Sequence, residues 1–166
     1  MKKKQVSLIV ALMIAVMALA GCGTKKSDEA QTPEQPPVET QTEITEFQYI
    51  TAPELEKIIM DENNEYVLFD VRKKADYDTE HIKGSISADV DSVVSNEDSD
   101  PARANIEQAL SSTDVAGKKL VLLCYSGKRY AEAATNLLVE SGVDQGQIYT
   151  LEGGYKGWTN QELLEK

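Results

Sequence analysis

Residues 120–129 read LVLLCYSGKR. An apolar run leads into Cys124, a glycine follows, and two cations close the stretch. The run Leu120–Cys124 has the unbroken apolar character of a strand covered on both faces, as in a parallel sheet. From Arg129 the period changes. Ala131, Ala134, Leu137, Leu138 and Ser141 recur at helical spacing, and Gly142 suits the residue just past a helix end. A strand, a tight loop and a helix over Arg129–Ser141 are therefore expected in succession, with the loop held between two rigid elements.

The flanks repeat this alternation. Phe47–Ile50 reads as a short strand. Thr51-Ala52-Pro53-Glu54 reads as a capping box opening a helix, whose apolar face is Leu55, Ile58 and Ile59. Tyr66–Val71 is a second strand of buried type. Residues 72–99 are acidic and read mostly as loop, with a short strand near Ile86–Val90. Asp100 is expected to cap a helix with Pro101 at its first position, striped by Ile106, Ala109 and Leu110. Ile148–Leu151 reads as a further strand, Gly153-Gly154 as a turn and Tyr155–Glu165 as a final helix. Strands alternating with helices predict an α/β fold, a central and mostly parallel sheet with helices on both faces.

The amino-terminal residues follow other rules. Residues 1–22 run from three lysines through the apolar stretch Val6–Ala20 to small residues, the layout of an export signal. Leu19-Ala20-Gly21-Cys22 resembles the bacterial lipobox, which implies cleavage before Cys22 and its lipidation. Residues 1–21 are then the signal peptide. Residues 23–45, with Pro33, Pro36 and Pro37 among Thr, Gln and Glu, lack the apolar surface to offset ordering, so residues 22–45 read as a lipidated cysteine on a disordered tether. The folded domain is expected over 46–166, exported and lipid-anchored to the cell membrane on its extracytoplasmic side. Acyl chains contribute roughly 0.8 kcal/mol per buried CH₂, so more than one anchors firmly.

Cys22 and Cys124 are the two cysteines of the chain. With Cys22 assigned to lipid, Cys124 is left without an internal disulfide partner. The net charge is −11, and loss of Lys2, Lys3 and Lys4 with the signal takes it to −14. That balance excludes a general nucleic-acid binder and argues against electrostatic adhesion to anionic lipid. With a single histidine and no cysteine cluster, no metal or other cofactor is expected.

In sheets of this kind ligands bind beyond the carboxyl ends of the strands, which is where Cys124 falls. Tyr125, Ser126, Gly127, Lys128 and Arg129 each carry an N–H, and a tight loop can turn several of these inward as an anion-binding nest. Gly127 permits the positive φ such a curl needs. The start of the next helix, Lys128 and Arg129 add positive charge. Such surroundings favour a thiolate over a thiol without a partner base. His81, far upstream, is expected to be structural. Asp70 and Arg72, at a strand's carboxyl end, read as an ion pair or turn contact.

CYSGKR resembles the C-x-x-G-x-R loop of single-domain rhodanese-like sulfurtransferases. Phe69-Asp70-Val71-Arg72, Glu80-His81-Ile82-Lys83-Gly84-Ser85 and Leu151-Glu152-Gly153-Gly154-Tyr155 with Trp158 resemble three further motifs of that family, in the same order. Two residues depart from it. Glu80 stands where a glycine is usual, and Tyr130 where a small residue often follows the arginine. The resemblance implies a rhodanese-like fold and ping-pong transfer of a sulfane sulfur. Cys124 is the implied nucleophile, with Tyr125, Ser126, Gly127, Lys128 and Arg129 around the substrate. The implied partners are a small anionic donor such as thiosulfate and a thiol or cyanide acceptor, met by a monomer. Two alternatives remain. One is a non-catalytic binding, sulfur-carrier or redox-sensing module. The other is a phosphatase or arsenate reductase of the same fold, whose C-x5-R loop is one residue longer and cradles a tetrahedral oxyanion.

Overall fold

The computed structural model describes residues 46–166. The signal peptide, Cys22 and the tether, expected over residues 1–45, lie outside the described residues. In chain order the elements are β1 (Gln48–Ile50), α1 (Ala52–Met60), β2 (Tyr66–Asp70), α2 (Lys74–Thr79), β3 (His81–Ile82), β4 (Ser85–Ser87), α3 (Asp91–Val94), α4 (Asp100–Ser112), β5 (Lys119–Leu123), α5 (Arg129–Glu140), β6 (Ile148–Leu151) and β7 (Leu164–Glu165). Five strands form one parallel sheet in the order β1-β6-β5-β2-β4. The strand that delivers Cys124 is therefore central.

Side chains alternate across a strand, and β5 divides its residues between two cores accordingly. Leu120, Leu122 and Cys124 pack with Ile106 of α4 and with Ala131, Ala134 and Leu138 of α5. Val121 and Leu123 pack on the other face with Leu55 of α1, Ile82, Leu151 and Trp158. Burial on both faces explains the unbroken apolar runs in β2 and β5.

The caps follow the sequence closely. The Glu54 carboxylate accepts from the Thr51 N–H at 2.9 Å and from its hydroxyl at 2.7 Å, and these bonds hold the Glu54 carboxyl below its usual range. Gly142 follows α5 with φ at +90°. The cap of α4 is displaced by one residue. Ser99 flanks the helix, Asp100 is its first residue, and the Asp100 N–H donates to Asp98 Oδ1 at 3.0 Å.

Two expectations are corrected. Residues 72–99 hold the short helices α2 and α3 and two short strands, β3 and β4, and the strand expected near Ile86–Val90 is Ser85–Ser87. These helices are organised by Asp89, whose carboxylate accepts from the N–H groups of Lys74 at 2.8 Å and Asp91 at 2.7 Å. Six- and four-residue helices are too short to print a period. The final helix does not form. Tyr155–Gly157 and Gln161–Leu163 are single 3₁₀ turns, and Leu164 pairs antiparallel with Ile82 in β3. The cause lies in competing acceptors. The Tyr155 and Lys156 N–H groups donate to the Cys124 and Tyr125 carbonyls, and the Trp158 indole donates to the Asn160 carbonyl at 2.8 Å.

Leu55 is fully buried under the sheet, whereas Met60 on the same helix is 69% exposed. Leu55→Ala is expected to lower unfolding free energy by about 2–5 kcal/mol in urea titrations, and Met60→Ala by no more than about 0.5 kcal/mol.

Candidate active site

Cys124 leaves β5 only 1% exposed, and the loop curls back over it. Gly127, with φ at +72°, turns its N–H onto the Cys124 Sγ at 3.0 Å. Among the described residues, the N–H groups of Ser126, Lys128 and Arg129 have no protein acceptor. They precede and open α5, whose amino end adds partial positive charge. Ser126 and Lys128 are exposed along the loop.

The loop rests on the Gly153-Gly154 turn. The Tyr155 N–H donates to the Cys124 carbonyl at 2.6 Å and the Lys156 N–H to the Tyr125 carbonyl at 3.2 Å. A Cβ at Gly154 would lie 2.3 Å from the Cys124 carbonyl oxygen and 2.6 Å from the Ser126 nitrogen. One at Gly127 would lie 3.0 Å from the Leu151 carbonyl oxygen. Both surfaces of this contact are bare backbone, which is why glycine occurs on each side.

A buried ion pair supports the turn. Arg72 donates through Nη2 to Asp70 Oδ2 at 2.6 Å, through Nε to both carboxylate oxygens, and through Nη2 to the Glu80 carbonyl at 2.9 Å. The pair is almost wholly enclosed, with Asp70 at 0% and Arg72 at 4% exposure. Burial alone would lower the Arg72 pKa, but the bonds and charge of Asp70 outweigh it and raise it above the ordinary value. The guanidinium carbon lies 3.6 Å from the centroid of the Tyr155 ring, and the Tyr155 hydroxyl donates to Glu80 Oε1 at 2.8 Å. Glu80, the residue that departs from the family pattern, thus joins the support of the loop.

His81 stands apart from the thiol. Its Nδ1 is 2.9 Å from the Tyr77 carbonyl, its Nε2 is 3.5 Å from Glu165 Oε1, and its ring stacks on Tyr77. Arg129 also points to a structural partner, donating from Nη2 to the Val94 carbonyl at the end of α3 at 2.7 Å.

The rim was the part least visible in the sequence. The Tyr125 hydroxyl bonds the Asp76 carboxylate and accepts from the Lys73 N–H at 3.3 Å. Lys73 Nζ pairs with Asp91 at 3.2 Å, and the Tyr130 hydroxyl donates to Asp91 Oδ1 at 2.5 Å. The Tyr125 and Tyr130 rings meet edge to face at 4.9 Å. Burial and the Asp91 bond raise the Tyr130 pKa, and the Tyr130 bond lowers that of Asp91. Tyr130 signalled itself by departing from the family pattern, whereas Asp76 and Asp91 were hidden in an acidic stretch.

No cluster of candidate metal ligands occurs among the described residues. A cavity of about 360 Å³ opens between Ile58, Tyr66, Leu68, Lys83 and Ile86. It lies at the amino ends of β2 and β4, away from Cys124, and is no part of the thiol site.

The sequence matches the Rhodanese-like domain family over residues 51–161, and the chain belongs to that family. No curated protein sequence matches it. Among solved structures, it resembles a protein from Lactobacillus plantarum at 23% identity, covering 71% of this chain and 87% of that one, with a TM-score of 0.50. A protein from Staphylococcus saprophyticus is similar at 22% identity, over 72% of this chain and all (100%) of the other, with a TM-score of 0.50. An As-Sb reductase from Leishmania major shares 17% identity over 72% of this chain and 85% of its own, with a TM-score of 0.50. These likenesses show the shared fold.

Gly142 provides a control for the tight contact at Gly154, because it too has positive φ but a Cβ there would meet nothing within 4 Å. Gly142→Ala is expected to cost about 1–2 kcal/mol for backbone strain alone, and Gly154→Ala at least about 3 kcal/mol with faster alkylation of Cys124. Urea titration and thiol labelling read the two effects.

Burial and the Glu80 bond push Tyr155 up to about 12 from the ordinary 10, and burial with the Asp76 bond pushes Tyr125 up to about 12. The folded state holds these protons more tightly than the unfolded chain. Their stabilisation is therefore complete below pH 10 and is lost as pH rises toward 12. Urea midpoints should fall across that window, and Tyr155→Phe should make the fall shallower.

Proposed function

We propose that this chain is a sulfurtransferase that carries a sulfane sulfur on Cys124. The observation that supports this most directly is the seat of the sulfur. Sγ meets the Gly127 N–H at 3.0 Å at a strand–helix junction, beside N–H groups with no protein acceptor among the described residues. Such a seat stabilises negative charge on sulfur by fixed dipoles.

With thiosulfate as donor, the Cys124 thiolate attacks the outer sulfur. An Sγ–S bond forms, the S–S bond of thiosulfate breaks, and sulfite leaves with the electron pair. A nucleophile such as cyanide or a thiolate then attacks the terminal sulfur. The Sγ–S bond breaks and the Cys124 thiolate returns. No external oxidant or reductant is consumed, and the covalent intermediate divides one step into two easier ones. Gly127 and the loop N–H groups hold the persulfide, exposed Lys128 attracts the anionic donor, and Tyr125 and Ser126 border it. Arg129, committed to Val94, braces the loop against α3. Four residues stand between Cys124 and Arg129, a loop too short to cradle a phosphate in the manner of C-x5-R. Cys22 places this activity on the extracytoplasmic side of the membrane through its lipid.

The test is incubation of the full chain with thiosulfate, followed by mass measurement of the Cys124 peptide under non-reducing conditions. Wild type is expected to gain one sulfur that cyanide removes, and Cys124→Ser none. An unmodified wild-type peptide, or turnover of an aryl phosphate in place of thiosulfate, would sink the proposal.

A further inference from the structure

The contacts around the loop close on themselves. Tyr125 takes the Lys73 N–H, Lys73 Nζ reaches Asp91, Asp91 accepts from Tyr130, and the Tyr130 ring returns to Tyr125 at 4.9 Å. A second tie runs from Tyr125 to Asp76. The circuit joins both ends of the Cys124 loop to the opposite wall, and Cys124, at the start of that loop, is 1% exposed.

From this closed rim we infer that Tyr130, together with Tyr125, is a size filter. It admits small inorganic sulfur species and cyanide to Cys124 and excludes thiols carried on peptides or proteins. The inference rests on the sulfurtransfer reading for its substrates but not for its geometry. Hydrogen bonds from tyrosine hydroxyls to ionised carboxylates are of the strong, charge-assisted kind, so the rings are fixed rather than free to swing. A bulky thiol must bring its sulfur to an almost wholly enclosed atom at the start of the loop that the two rings flank. Cyanide needs only a narrow opening. A small residue at position 130 would remove the second ring and the tie to Asp91 together. Tyr125 alone would then remain, held to Asp76 and Lys73 on one side.

Access is measured without sulfur chemistry on the full chain carrying Cys22→Ser, in which Cys124 is the sole thiol. N-methylmaleimide and fluorescein maleimide share one reactive group and differ in bulk. Tyr130→Ser is expected to raise the bulky-to-small rate ratio at Cys124 by about tenfold, equivalent to about 1.4 kcal/mol in the barrier difference. Asp91→Ala, which frees the Tyr130 hydroxyl and keeps its ring, should raise the ratio by a smaller factor. It also serves as the second variant if Tyr130→Ser does not fold. On protein loaded with thiosulfate, discharge by glutathione relative to cyanide should rise in the same order. An unchanged maleimide ratio in the folded variants, or wild-type persulfide discharged by glutathione as fast as by cyanide, overturns the filter. A shifted maleimide ratio with no persulfide in any variant supports the filter and overturns the sulfurtransfer reading instead.

Discussion

The close approach between the Gly153-Gly154 turn and the Cys124 loop is the constraint on which the candidate site depends. The two backbones meet with no side chain between them. A single methyl group at residue 154 would overlap both a carbonyl oxygen and an amide nitrogen. The contact fixes the carbonyls of Cys124 and Tyr125 downward, and in a short loop the N–H groups of the same peptides must then face the other way. Thus the orientation of the sulfur's surroundings is decided beneath the loop rather than within it.

Beneath that turn lies a charged group from which water has been removed. Arg72 is held on one side by the Asp70 carboxylate and covered on the other by the Tyr155 ring, while Glu80 contributes its carbonyl to Arg72 and its carboxylate to Tyr155. Taking a guanidinium out of water is costly unless its donors are met, and here Nε and Nη2 are met by the Asp70 carboxylate and the Glu80 carbonyl. The pair therefore adds little net stability but makes the relative placement of β2, α2 and the turn after β6 hard to change. Rigidity at this point is transmitted to the loop through the Tyr155 N–H.

The sheet and the thiol seat could be read in the sequence because each leaves a local signature. Leu120–Leu123 and Val67–Phe69 are apolar without interruption, and the alternation of strand and helix implied the parallel order. Gly127 announced the curl over Cys124. The final helix does not form although Tyr155, Trp158, Leu163 and Leu164 fall near helical spacing, because the Tyr155 and Lys156 N–H groups are claimed by the distant carbonyls of Cys124 and Tyr125. The rim escaped for a related reason. Asp76 and Asp91 are ordinary surface acids until a tertiary fold carries Tyr125 and Tyr130 to them. Arg129 shows the same limit, since the motif gives the residue but not the direction of its guanidinium.

The groups that clamp the Cys124 loop from below all follow it in the chain, beyond α5 and β6. A chain extended only through α5 would possess the cysteine, the glycine and the helix start, yet lack the floor that turns them toward one another. The order of synthesis and the order of function are thus opposed in this molecule. Its reactive atom is made before its support, and the floor of the loop is finished only when β6 and the turn after it arrive.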